Sequence, residues 1–242
     1  TAIYMIIRLT VTVFDYAQFA PYMFVLALLT LFIGNIFAFF EDDLRGLLAY
    51  STIGEMGLIL LTFSAGSELS IAASLAQLIN HSISKAVLLL VAGVMAESSR
   101  SSKISLLQGF GRKYGMPSMI FVFAAASLIG VPPFLGFFTK FSILKSLLSL
   151  KPLLGYFSFA IMILVWVIEG VYFYKILKVL FSKSDLYFKP LNHLLLIAPI
   201  VLVALLILLS IKSMNVLNFT YDTANQLMQR VIYFTSVLGA IK

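Results

Sequence analysis

The stretch Gly130-Val131-Pro132-Pro133-Phe134-Leu135-Gly136-Phe137-Phe138-Thr139-Lys140 decides how this chain is read. It lies inside an apolar segment, Ser118–Leu150, that is too long for a simple membrane crossing of about 20 residues. Proline removes a backbone donor and clashes with the preceding turn, while glycine accepts the dihedral angles of a break. The spacing therefore predicts a discontinuous helix interrupted at Gly130, Pro132, Pro133 and Gly136. In lipid such a break persists only where protein or water satisfies the freed backbone groups, and transporters place broken helices at ion sites for that reason. Lys140 follows the break. Carbonyls and water there can solvate its ammonium form, whereas apolar walls favour the neutral form. A lysine poised between the two is what a proton relay requires; the plainer alternative, an interfacial anchor, suits Lys145 better.

The rest of the chain supplies a matching setting. Of 242 residues, 61% are hydrophobic and 11% charged, against about a quarter charged in a soluble domain. That balance makes lipid the solvent. The apolar stretches have helical length and no ten-residue alternation, which excludes an outer-membrane barrel. Besides Ser118–Leu150, they run over Phe19–Phe40, Leu44–Ser64, Ile71–Ala96, Leu154–Phe181 and Leu194–Ile211. The absence of cysteine excludes disulfides, thiolate metal sites and cysteine nucleophiles. No phosphate-binding loop, dinucleotide fingerprint or metal-ligand cluster is present, so no redox site is expected in this chain. The net charge of +7 reflects basic loops and not a nucleic-acid surface. Arg45, Arg100, Lys103, Arg112, Lys113, Lys175, Lys178, Lys183 and Lys189 fall at alternate connections, hence on one face. That face is expected in the cytoplasm or matrix.

Thr1–Thr10 reads as the end of a helix begun elsewhere, 11–182 as the main helical unit, 183–212 as the final crossing and 213–242 as an interfacial tail. The chain is thus expected to be part of a larger unit.

Within the spans lie Glu55, His81, Lys85, Lys140 and Glu169. Each costs at least ~2.5–3.5 kcal/mol at a helix centre, so they are expected to face one another or water. His81 and Lys85 stand at i and i+4 on a face shared with Gln77, with Asn80 and Ser84 alongside. Together they can pass a proton by alternating protonation. Alternatively, His81 only bonds a neighbouring helix and Lys85 snorkels, an awkward route from mid-span. Glu55, flanked by Gly54 and Gly57, and Glu169, with Tyr172 and Phe173 following on its face, are either relay members or structural partners of Lys85 or Lys140.

Three stretches resemble the antiporter-like subunits shared by respiratory complex I, membrane-bound hydrogenases and multisubunit sodium/proton antiporters. They are Asp43-Leu44-Arg45-Gly46-Leu47-Leu48-Ala49-Tyr50-Ser51-Thr52-Ile53, Asn80-His81-Ser82-Ile83-Ser84-Lys85-Ala86, and Ile129 to Phe141 around the break. The resemblance implies an all-α integral membrane protein, a polytopic helix bundle forming the second half of a fourteen-helix inverted-repeat fold. It also implies a proton-translocating role in which Lys140, Lys85, His81, Glu55 and Glu169 form the relay. Among such subunits the lysine at 140 and the ending are most similar to subunit 2 of NADH–ubiquinone oxidoreductase, while His81 and Lys85 look more like the hydrogenase and antiporter relatives. A split subunit 2 of the mitochondrial inner membrane is the expectation, with a bacterial or archaeal plasma membrane as the alternative. Other membrane-arm subunits, a chain carrying the first half, and lipids are the expected partners. FMN, iron–sulfur clusters and quinone are expected in those partners and not in this chain. A sodium/proton antiporter or membrane-bound hydrogenase antiporter-like subunit, and a non-pumping membrane spacer, remain the alternatives.

Overall fold

The computed structural model describes residues 5, 6, 10, 16–150 and 152–239. Among these residues the chain is almost wholly helical, with no strand beyond a single isolated bridge between Asp43 and Lys103. Of the stretch Thr1–Thr10, Met5, Ile6 and Thr10 are helical, and the remainder lies outside the described residues.

Helices α1 (Tyr16–Phe40) and α2 (Leu44–Phe63) form an antiparallel pair. The reversal is tight because Asp43 caps α2, its carboxylate accepting from the N–H groups of Arg45 and Gly46 at 2.9 and 3.1 Å. Such a cap occupies amides that have no partner inside the helix. Gly34 of α1 faces the backbone of Gly54, and Gly57 of α2 faces that of Leu31; a Cβ on Gly57 would come 2.6 Å from the Leu31 Cα. These small residues let the backbones touch, a packing mode suited to lipid, where apolar faces gain little by merely meeting.

Ser67 then caps the long α3 (Glu68–Ser99), the central helix of the bundle, which packs on α2 and on most of the later helices. A 3₁₀ turn at Ile104–Leu107 and a short α4 (Phe110–Lys113) cross the surface. The apolar segment around the double proline is divided, as expected, into α5 (Gly115–Ile129) and α6 (Leu135–Leu148). Helix α7 (Pro152–Leu180) runs back to the face on which α1 ends, and α8 (Ile197–Ile211) follows a 3₁₀ turn at His193–Leu196. Among the described residues, five helical segments are long and apolar enough to cross a membrane: Phe19–Phe40, Leu44–Phe63, Glu68–Ser99, Pro152–Leu180 and His193–Ile211. The half-helices α5 and α6 together make up the sixth apolar segment.

The stretch 213–242, read from the sequence as an interfacial tail, holds a further helix, α9 (Ser213–Gly239). Val216, Thr220 and Ala224, spaced four apart, are buried, and Leu227 and Met228 pack against the cluster around Ile59, Phe63 and Ile71. The repeat gives one buried stripe, which α3 covers, while Met214, Phe219 and Tyr221 of the same helix stay exposed.

Candidate functional site: a buried lysine between two glutamates

The break between α5 and α6 positions the site. Gly130 ends α5 at φ +88°, a left-handed conformation that glycine adopts freely. A Cβ there would press on Trp166 and on the Lys140 side chain, and a Cβ on Gly136 would strike the Ser127 backbone. Close approach therefore requires both glycines, and conformation requires the first as well. The groups that the break frees find partners within the protein. The Ile129 carbonyl accepts from Trp166 Nε1, the Ser127 carbonyl from Asn80 Nδ2 at 3.4 Å, and the Leu135 N–H donates to Ser210 Oγ at 3.0 Å. Ser127 Oγ also donates to Asn80 Oδ1 at 2.8 Å, which ties α3 to the break.

One turn past Gly136, the Lys140 side chain enters the bundle and is almost fully buried. Its ammonium is paired with Glu169 Oε2 of α7 and lies 3.3 Å from Glu55 Oε1 of α2. Both glutamates are buried, and the indole of Trp166 sits 5.8 Å from the ammonium. Gln77 of α3 donates to Glu55 Oε2 at 2.7 Å, and Thr139 donates to the Gln77 carbonyl oxygen. Four helices thus contribute to one charged cluster, with two carboxylates sharing one ammonium. Of the alternatives left open by the sequence, both glutamates pair with Lys140 and neither forms a salt bridge with Lys85.

Lys85 is buried nearer the basic face, where it donates to the Leu48 carbonyl at 3.0 Å and to Ser51 Oγ. It does not snorkel. His81, one turn deeper on α3, is buried with no hydrogen bond at Nδ1, and it lies within electrostatic range of Glu55. The residues Lys85, His81 and Lys140 therefore occupy one interior, but direct hydrogen bonds do not join them in series. Two further members escape a reading by residue type, Ser51 and Trp166. Trp166 is the chain's single tryptophan, three residues before Glu169 and so on the same face of α7; that spacing was the available signal. Among the described residues, no group of three or more His, Cys, Asp or Glu side chains is placed to hold a metal ion.

A family model described as "NADH:quinone oxidoreductase/Mrp antiporter, TM" matches residues 1–166. The chain belongs to this family. It is 27% identical over 98% of its length to a Na(+)/H(+) antiporter subunit of Alkalihalophilus pseudofirmus, covering 48% of that protein. Over 62% of its length it is 29% identical to an NADH-quinone oxidoreductase subunit of Desulforudis audaxviator, covering 30% of that protein. Among solved structures, a protein of the Mrp complex from Dietzia sp. superposes with a TM-score of 0.87 at 21% identity, over 98% of this chain and 53% of that one. The chain thus spans about half the length, or less, of these relatives, and it shares the antiporter-like membrane fold with them.

Proposed function

We propose that this chain supplies a proton half-channel to an antiporter-like subunit of an NADH:quinone oxidoreductase, with Lys140 as the residue on which the proton resides in transit. The observation that carries the reading is the Lys140 ammonium held between Glu55 and Glu169 at a helix break, inside a bundle of membrane-length helices. Burial of three charges at one place is costly, and structural duty alone is a poor reason for it. A proton released from Lys140 leaves two carboxylates without their cation, so its release is sensitive to any charge that approaches from a neighbouring subunit. Redox groups in partner subunits would supply that charge movement. His81 and Lys85 extend the polar interior toward the basic face. The relatives named above are bacterial, and the mitochondrial location expected from the sequence is not carried into this proposal.

The test is purification of the tagged chain from its own membranes, followed by assay of NADH-driven proton uptake in proteoliposomes. Co-purifying NADH:quinone reductase activity, with proton uptake lost in Lys140→Ala, is the expected result. Uptake that survives Lys140→Ala at full rate overturns it. A second reading, a monovalent cation/proton antiporter component, is favoured by the match to the Alkalihalophilus protein over 98% of the chain. Sodium-driven proton exchange without any co-purifying redox activity selects that reading.

A further inference from the structure

A cavity of about 820 Å³ opens among the ends of α1, α2 and α7 and the 3₁₀ turn at Ile104–Leu107. Glu41, Asp42, Lys103, Lys175 and Lys178 line it, so its walls carry both signs of charge. It is far larger than the ~30 Å³ that one water occupies in the liquid. The mouth belongs to the face on which the basic connections gather. Tyr172, a residue only 1% exposed, is part of its lining and lies three residues from Glu169 on α7.

Tyr172 stands between this cavity and the charged cluster. Along α7, Val179, Lys175, Tyr172 and Glu169 recur at three- and four-residue steps and so share one face, and Ser182 lies just past the helix end at Leu180. Glu169 lies about 4.5 Å deeper than Tyr172 along the helix axis, and Val179 about 10 Å nearer the surface. Across from them on α2, Leu47 lines the cavity, Ser51 lies beside Tyr172, and Glu55 follows one turn deeper. Ser51 also receives the hydrogen bond from Lys85. The phenol is therefore adjacent to both arms of the buried network. Two oxygens here are buried with no hydrogen bond within 3.5 Å, Tyr172 Oη, which has the Ser51 hydroxyl as its neighbour, and Glu169 Oε1 one helical turn away. Buried polar atoms in that condition are uncommon and call for a physical explanation.

We propose that this cavity is the water-filled entry vestibule of the half-channel, and that the Tyr172 hydroxyl is the relay between its floor and the Lys85–Ser51 and Glu169–Lys140 groups. The proposal rests on the proton-channel reading above. A phenol can accept a proton from vestibule water on its lone pair and donate its own to Glu169 Oε1 or toward Ser51, leaving its protonation unchanged after each transfer. Its ring meanwhile closes the apolar gap around the cluster, so Lys140 is reached by protons without being opened to bulk solvent.

The chain contains no cysteine, so it adds no thiol of its own when single cysteines are placed along this route. In proteoliposomes of the assembled complex, Ser105→Cys, Leu47→Cys and Leu58→Cys are treated with a membrane-impermeant cationic thiosulfonate applied to one face, with the unsubstituted complex as background. Modification at 105 and 47 from the basic face only, none at 58, and slowed proton translocation restored by reducing agent are expected. Tyr172→Phe is expected to lower translocation at least about tenfold, a conservative share of what a positioned proton donor contributes, with assembly unchanged. Wild-type translocation in Tyr172→Phe, or modification at 47 that leaves translocation intact, overturns the proposal. If Lys140→Ala abolishes translocation while those treatments do not, the vestibule is wrong and the half-channel stands; if Lys140→Ala also translocates normally, the parent reading has failed.

Discussion

Replacing Lys140 by methionine removes the only cation in contact with Glu55 and Glu169 among the described residues while nearly conserving volume, and its consequence can be worked from the geometry. At 3.3 Å from Glu55, unit charges interact by roughly 5 kcal/mol at an effective dielectric constant near 20. Most of that gain is offset by the cost of removing the charges from water, so the pair itself adds little net stability. Breaking it is a different matter, because two carboxylates are then left buried and facing one another. The expected loss for Lys140→Met is about 3–5 kcal/mol, the usual result of stranding a buried charge. Removing the stranded charges as well is expected to rescue the fold. In the triple variant Lys140→Met, Glu55→Gln, Glu169→Gln no charge remains, Gln77 can still bond the amide at 55, and stability returns to within about 1–2 kcal/mol of the parent. Thermal unfolding of the detergent-solubilised complex, followed by loss of the monodisperse peak, measures both variants. A single substitution that leaves the midpoint unmoved, or a triple variant less stable than the single one, would refute the pairing.

Other perturbations test the scaffold. Gly57→Leu must force α1 away from α2, since even a Cβ meets the Leu31 backbone; a loss of at least about 1–3 kcal/mol is expected from such overpacking, read as a lower midpoint. Gly136→Ala drives a methyl into the Ser127 carbonyl, and proton translocation should fall together with stability; unchanged values for both would show that the two half-helices are not held as described. Asp43→Ala removes the α2 cap at a cost of about 1 kcal/mol. Partial burial works to raise the Asp43 carboxyl, but hydrogen bonds from Ser102, Gly46 and Arg45 and the Arg45 charge outweigh it and hold the group below its usual value. Its contribution is therefore present above the unfolded carboxyl pKa and fades as the pH falls through the lower folded one. The wild-type advantage over Asp43→Ala should be constant at neutral pH and shrink below about pH 4.

Much of this architecture is written locally. The Gly130, Pro132, Pro133 and Gly136 pattern announces the break because ring closure and the missing Cβ act on the backbone at their own positions. The apolar runs announce the spans because bilayer thickness sets one length for all of them. Lys140 stands out by residue type and by its place after the break. What the linear pattern leaves open is set by packing. Glu55 lies far before Lys140 in the chain, and nothing along the sequence tells whether it meets Lys140 or Lys85; the answer depends on how α2 packs against α3 and α6, where Gln77 and Lys140 meet it. Ser51 and Trp166 are unremarkable in apolar helices; Ser51 joins the site only when α2 meets Lys85 of α3, and Trp166 only when α7 meets the break and Lys140. Helix α9 is similarly hidden, since its buried stripe has meaning only once α3 is present to cover it.

A proton is proposed to cross by way of Lys140. The neutral triple variant tests this route most directly, because it keeps the fold while leaving no titratable group at the cluster. Proton uptake by proteoliposomes, normalised to the amount of assembled complex, should fall to the background of empty vesicles in that variant. Uptake at the wild-type rate in a stably folded, chargeless cluster would contradict the account.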